Sequence, residues 1–168
     1  MAKVIPVGQP VNDAERSAIA YLRDRLPDSF VLLHNFEIER QGERFEIDIA
    51  LLTPHALYLI DVKGTRGTID VYGNKWYPEG RAPYPSPLGK LRGHARTVKG
   101  LVTQANPGRN ELDGIYVDAA ILLTAPEVDL VLAVVGSSAR VQSQLAVKPI
   151  VECAGRARAR AATAVPDA

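Results

Sequence analysis

The order of elements in this sequence predicts an α/β sandwich built on a mixed central sheet. Three observations carry the expectation. An amphipathic helical stripe stands near the start, short apolar strands follow one another between residues 30 and 77, and a second helical segment leads into a Val/Ile/Leu-rich run. The chain has 168 residues, a formal net charge of +1 and nearly half its residues apolar. That is enough for one compact domain with a sizeable core, and too apolar for global disorder.

Asn12-Asp13 can cap a helix from Ala14 to Leu26, whose stripe is Ala18, Ile19, Leu22 and Leu26 and which Pro27 ends. Phe30–Ile38 reads as a strand, Arg40–Glu43 as a turn, and Phe45–Leu52 and Ala56–Val62 as the next two strands. Thr68–Tyr72 and Lys75–Tyr77 flank a Gly73-Asn74 turn, and the spacing of the whole run predicts an antiparallel meander. Trp76 is expected in the core or packed on its hairpin. Pro83, Pro85 and Pro87 stiffen a connection to a helix over Leu88–Thr103, with Leu91, Ala95, Val98 and Val102 recurring at helical spacing. Gly89, Gly93 and Gly100 weaken that helix. Ile115–Thr124 reads as a buried strand and Val128–Val135 as one more, while Val141–Val151 fits no single pattern. The domain is expected to span residues 1–153. From Ala154 to Ala168 the Ala/Arg-rich stretch reads as a tail or linker.

The chemistry centres on Asp48 and on Asp61-Val62-Lys63. Residues two apart in a strand face the same side, so Asp61 and Lys63 point together. With a hairpin turn at Thr53–Ala56, Asp48 and Asp61 fall at the same end of neighbouring strands. Two carboxylates and an amine suit a divalent cation and a phosphate: magnesium is commonly held by one or two carboxylates plus phosphate and water, and a lysine can orient water or offset charge developing on phosphorus. The plain alternative is a solvated Asp-x-Lys pair on an edge strand. Against it, Asp61 follows the apolar run Leu57–Ile60, where carboxylates are rare unless partnered. Glu46, two residues before Asp48, is an accessory ligand candidate. Glu15 lies in a first helical turn, where a carboxylate suits the helix dipole, and is equally a candidate ligand.

No Asp or Glu occurs from Arg81 to Asn110, whereas Arg81, Lys90, Arg92, Arg96, Lys99 and Arg109 do. Such a local excess is a phosphate-binding candidate or a solvated helix face. Arg92, Arg96 and Lys99 share one flank of the helical stripe, and Lys90 and His94 share the other. His34, His55 and His94 show no ligand spacing and read as structural or solvated. Cys153 is the single cysteine, which excludes a disulfide framework and a cysteine-based zinc site. No signal-peptide core follows Met1-Ala2-Lys3 and no apolar run is long enough for a bilayer, so a cytoplasmic protein without membrane contact is expected.

Taken together, Glu15, Gly42, Glu46-Ile47-Asp48, Ile60-Asp61-Val62-Lys63, Gly67 and Trp76 resemble the pattern of the nuclease-related domain (NERD) family of the PD-(D/E)XK nuclease superfamily. The likeness is strongest over residues 13–77 and weaker to 124. It implies a restriction-endonuclease-like three-layer α/β/α sandwich and Mg2+- or Mn2+-dependent cleavage of nucleic acid, DNA by family habit. Asp48, Asp61 and Glu15 would hold the metal, Lys63 would complete the catalytic set, and Lys90, Arg92, Arg96 and Lys99 would bind nucleic acid. It also implies that such a domain can be fused to a kinase, helicase or other effector. Lys90 stands where the family usually carries glutamine. That departure motivates a rival expectation, a module that binds or senses nucleic acid for an effector without cutting it. An interaction module in an anti-phage assembly is a third.

Overall fold

The computed structural model describes residues 1–109, 112, 114–125, 128–134 and 137–142. Cys153 and the tail beginning at Ala154 lie outside them, as does most of Val141–Val151. The first sheet runs β1-β2-β3-β4-β8, from β1 (Lys3–Pro6), β2 (Val31–Arg40), β3 (Glu43–Leu52), β4 (Ala56–Lys63) and β8 (Tyr116–Leu123). Strands β2, β3 and β4 form the expected antiparallel meander, and β1 and β8 add in parallel at its two edges. The sheet is therefore mixed. The β2–β3 turn is closed by Arg40↔Glu43, with Gln41 and Gly42 both at positive φ (54° and 80°). This is the backbone that a two-residue hairpin needs to match strand twist. The β3–β4 turn is tied by Thr53 N–H donating to Ala56 O at 2.8 Å.

Each face of this sheet carries a helix. Helix α1 (Asp13–Arg25) is capped by Asn12, whose side chain accepts from Glu15 N–H. Its Ala18 and Leu22 pack with Leu32, Ile49, Ile60, Val62 and Leu122. Helix α2 (Pro87–Ala105) packs Leu88, Leu91, Ala95 and Val98 against Ala50, Leu57, Leu59 and Ala119. Alternate residues of β4 thus serve opposite helices, as strand periodicity requires. Burial of these side chains outweighs the three glycines that weaken α2. A parallel β4–β8 pair needs a crossover, and α2 lies on that connection.

Two expectations are corrected. The meander does not continue past β4: β5 (Gly67–Tyr72) and β6 (Lys75–Pro78) pair with each other but leave the first sheet. They join a second sheet, ordered β10-β9-β5-β6-β7, with β7 (Tyr84–Pro85), β9 (Val128–Val134) and β10 (Ser137–Gln142). The long-range partner is β9, which lies parallel to β5, and strand order of this kind cannot be read from spacing. Trp76 is 3% exposed and packs with Ile69, Val71 and Leu123 beneath this sheet, in the core as expected. Strand β1 was not expected, because four residues ending in proline with mostly exposed side chains carry no buried-strand pattern. Among the described residues no helix is long and apolar enough to cross a membrane.

Candidate functional site

Strands β3 and β4 pair from Leu52↔Leu57 to Ile49↔Ile60 and then stop. Yet β3 continues on β2 to Glu43, and β4 continues on β8 to Lys63. The strands therefore part at Asp48 and Asp61, the next residue of each, and a cleft of about 660 Å³ opens between them. Asp48 and Asp61 line it together with Lys63 and the β2–β3 arm from Glu43 to Glu46. Asn12 and Glu15 of the α1 N-terminus and Lys90 and His94 of α2 complete the wall.

Each acidic group has a distinct setting. Asp48 Oδ2 accepts the backbone N–H of Val62 at 2.7 Å. Asp61 is held by Lys63 Nζ at 2.9 Å, with the two side chains 20% and 37% exposed. Glu15 is 6% exposed. Its oxygens accept from Val11 N–H at 2.9 Å, Asn12 Nδ2 at 2.7 Å and Asn35 Nδ2 at 2.6 Å. Burial pushes the Asp48 carboxyl up to about 6, and the charges of Asp61 and Glu15 push the same way. The Val62 N–H and Lys63 oppose them without cancelling them. The cleft is thus a partly buried anionic site that favours an added positive charge.

The carboxylate oxygens of Asp48 and Asp61 are donors of the kind a hard divalent cation takes. Asp48 and Asp61 line the cleft where the strands part, beside Glu15, Glu43 and Glu46. Glu15 already satisfies both its oxygens with protein donors. Among the described residues no group of three His, Cys, Asp or Glu side chains forms a cage that could hold a metal by itself.

A family model described as the nuclease-related domain matches residues 11–124, well over half of the chain. The chain belongs to the nuclease-related domain family. No curated protein and no solved structure matches it.

Within this nuclease-related domain the sequence-predicted residues fall into two groups. Glu15, Glu46, Asp48, Asp61, Lys63 and Lys90 all meet at the cleft. Arg92, Arg96 and Lys99 are not among its lining residues, and Arg92 Nε lies 3.6 Å from Asp118 Oδ1 on β8. The helix therefore offers the cleft its other flank, Lys90 and His94. The sequence reading set His94 on one flank with Lys90 but took it as structural or solvated and did not consider Phe45; the two rings stack at 4.1 Å and 21° inside the cleft. Burial, and then the nearby Lys90 charge, lower the His94 pKa, which favours a neutral imidazole. Asn35 was also missed. The signal there was a polar pair, His34-Asn35, inside an apolar strand.

Proposed function

We propose that this nuclease-related domain is a Mg2+- or Mn2+-dependent phosphodiesterase acting on nucleic acid, with DNA as substrate. The observation that carries the reading is the parting of β3 and β4 at Asp48 and Asp61, with Lys63 beside Asp61 and both carboxylates lining the cleft that opens there. Helices on opposite faces of a mixed sheet support the restriction-endonuclease-like three-layer architecture as part of this reading.

Asp48 and Asp61 would hold the cation, and Glu15 would brace the cleft wall from α1. A bound divalent ion supplies Lewis-acid polarisation of the phosphodiester and a more acidic water. Lys63, kept in place by Asp61, orients the attacking water and offsets negative charge building on the phosphoryl oxygens. Lys90 holds a flanking phosphate at the cleft mouth. His94, neutral and stacked on Phe45, presents a polar edge without adding to the positive charge.

The test is cleavage of plasmid and oligonucleotide DNA by the purified protein, with and without Mg2+, beside Asp61→Ala. Cation-dependent products from the parent and none from the variant support the reading. Equal cleavage by the variant would refute it.

A second reading rests on Lys90, a cation at the cleft where the family usually carries glutamine. A non-cleaving domain would bind or sense nucleic acid for a fused or associated effector, as in anti-phage defence, in a cytoplasmic setting. Tight binding indifferent to Mg2+, with no product on long incubation, would select it.

A further inference from the structure

The β2–β3 ladder contains one missing rung. Register holds from Val31↔Leu52 to His34↔Ile49 and resumes at Phe36↔Ile47, and the residues facing each other across the gap are Asn35 and Asp48. Side-chain phase changes at the gap in both strands. On one side, Leu32, Ile49 and Leu51 pack in the α1 core. Beyond it, Phe36, Ile38, Phe45 and Ile47 pack in the α2 core. Strict alternation would have sent Phe36, Phe45 and Ile47 to the α1 face. Ile47 and Ile49 thus face opposite sides, and Asp48 between them is turned toward β4, where Val62 N–H meets it.

Asn35 sits at the origin of this switch. Its φ is 53°, and among the described residues the other non-glycine with positive φ is Gln41, in a turn. Asparagine is among the few side chains that tolerate the left-handed region. The residue is 8% exposed and clamped on all sides. His34 Nδ1 lies 2.8 Å from its Oδ1, and its Nδ2 donates to Glu15 at 2.6 Å. A Cβ at Gly8 would stand 2.3 Å from its carbonyl oxygen, so only glycine admits that approach. Among the described residues, three of the four buried polar residues, Glu15, His34 and Asn35, belong to this one network.

We infer that Asn35 is the positioning residue of the cleft: its left-handed backbone turns Asp48 toward β4, and its side chain anchors Glu15. The inference rests on the proposed cation site for its consequence, but the geometry can be tested apart from it. The two channels separate by substitution. Asn35→Gly keeps the backbone conformation and removes the side chain, whereas Asn35→Ala removes the side chain and disfavours the conformation as well.

The experiment is residue-resolved amide hydrogen exchange on the full chain, with Mn2+ titration of the same samples. In Asn35→Gly, the Val11 amide bonded to Glu15 should exchange about 10-fold faster, and the Val62 amide bonded to Asp48 should stay protected. In Asn35→Ala, both should speed up, and Mn2+ affinity should fall about 10-fold, with Asn35→Gly in between. Leu59, in the fully paired part of β4, serves as the control and should hold in both. Parent-like Val62 exchange and Mn2+ affinity in Asn35→Ala would overturn the inference. So would a uniform loss of protection, Leu59 included, equal in both variants, since that marks a merely structural residue. A parent that binds no Mn2+ would sink the metal reading alone, with the Val11 and Val62 amides still deciding on Asn35.

Discussion

Asp48 Oδ2 accepts the Val62 N–H at 2.7 Å, so a side chain of β3 stands in for a main-chain acceptor where the β3–β4 ladder ends. One carboxylate therefore has a structural bond and, in the proposed reaction, a chemical duty, and the two can be pulled apart. Asp48→Asn keeps an acceptor for Val62 and should retain stability near the parent, while cleavage falls by about 100-fold or more, following loss of an electrostatic group from the reacting centre. Asp48→Ala should lose as much activity and a further ~1–3 kcal/mol of stability, because Val62 N–H is left unpartnered. Paired urea titrations and plasmid cleavage rates check both.

The Asp61–Lys63 pair separates binding from chemistry. Lys63→Met removes the ammonium and leaves both carboxylates in place, so Mn2+ affinity should be kept or rise while the cleavage rate collapses. Asp61→Asn should lose both. Calorimetric Mn2+ titration beside single-turnover cleavage distinguishes the two patterns.

The Asp48 carboxyl, raised from its ordinary 3.8 to about 6, ties cation binding to pH. A group whose folded pKa is raised gives stability that is complete below its ordinary range and lost as pH rises through about 6. The parent without metal should therefore lose melting temperature between pH 5 and pH 7.5, more than Asp48→Asn does. At the proposed site Mg2+ would bind the ionised form, so it should raise the melting temperature clearly at pH 7.5 and little at pH 5. Melting scans of both proteins with Mg2+ and with EDTA read the sign directly.

Gly8 lies against the Asn35 carbonyl oxygen, and its N–H and that of Val7 both donate to His34 O. Gly8→Ala should destabilise the fold by ~1–3 kcal/mol, as overpacking against backbone does. Thermal melting with EDTA present keeps any cation effect out of the measurement.

Lys90 and the Arg92, Arg96, Lys99 stripe present different surfaces, and salt dependence tells them apart. Lys90→Gln should weaken DNA binding for unrelated sequences alike and flatten the salt slope by roughly 1 per lost phosphate contact. Replacing Arg92, Arg96 and Lys99 with Gln should change it less, because those residues lie outside the cleft lining. A triple variant with the larger loss would move the nucleic-acid path to the far flank of α2.

Much of the site was legible because its residues are local. Asp48 and Asp61 lie on consecutive strands joined by a four-residue turn, and alternation alone brings Asp61 and Lys63 together. Glu15 was legible as a first-turn carboxylate of a capped helix. What could not be read was everything set by long-range pairing. The partner of β5 is β9, more than fifty residues later. The flank of α2 that meets the cleft depends on how the β2–β3 arm leaves β4. The phase switch at Asn35 breaks the period on which strand reading depends, and its one trace is a pair of polar residues where an apolar one was due.

The meander that carries Asp48 and Asp61 also has a kinetic meaning. Strands β2, β3 and β4 are neighbours in sequence and in the sheet. Their pairing closes short loops, which cost little entropy and form early. The parallel strands β1 and β8 arrive through longer connections on either side. In a chain emerging from the ribosome, the two aspartates would be in register before residues 116–123 exist to cover β4. A nascent three-stranded sheet would then hold the acidic pair while its outer edges are still open, and β8, the last strand of that sheet, would complete it.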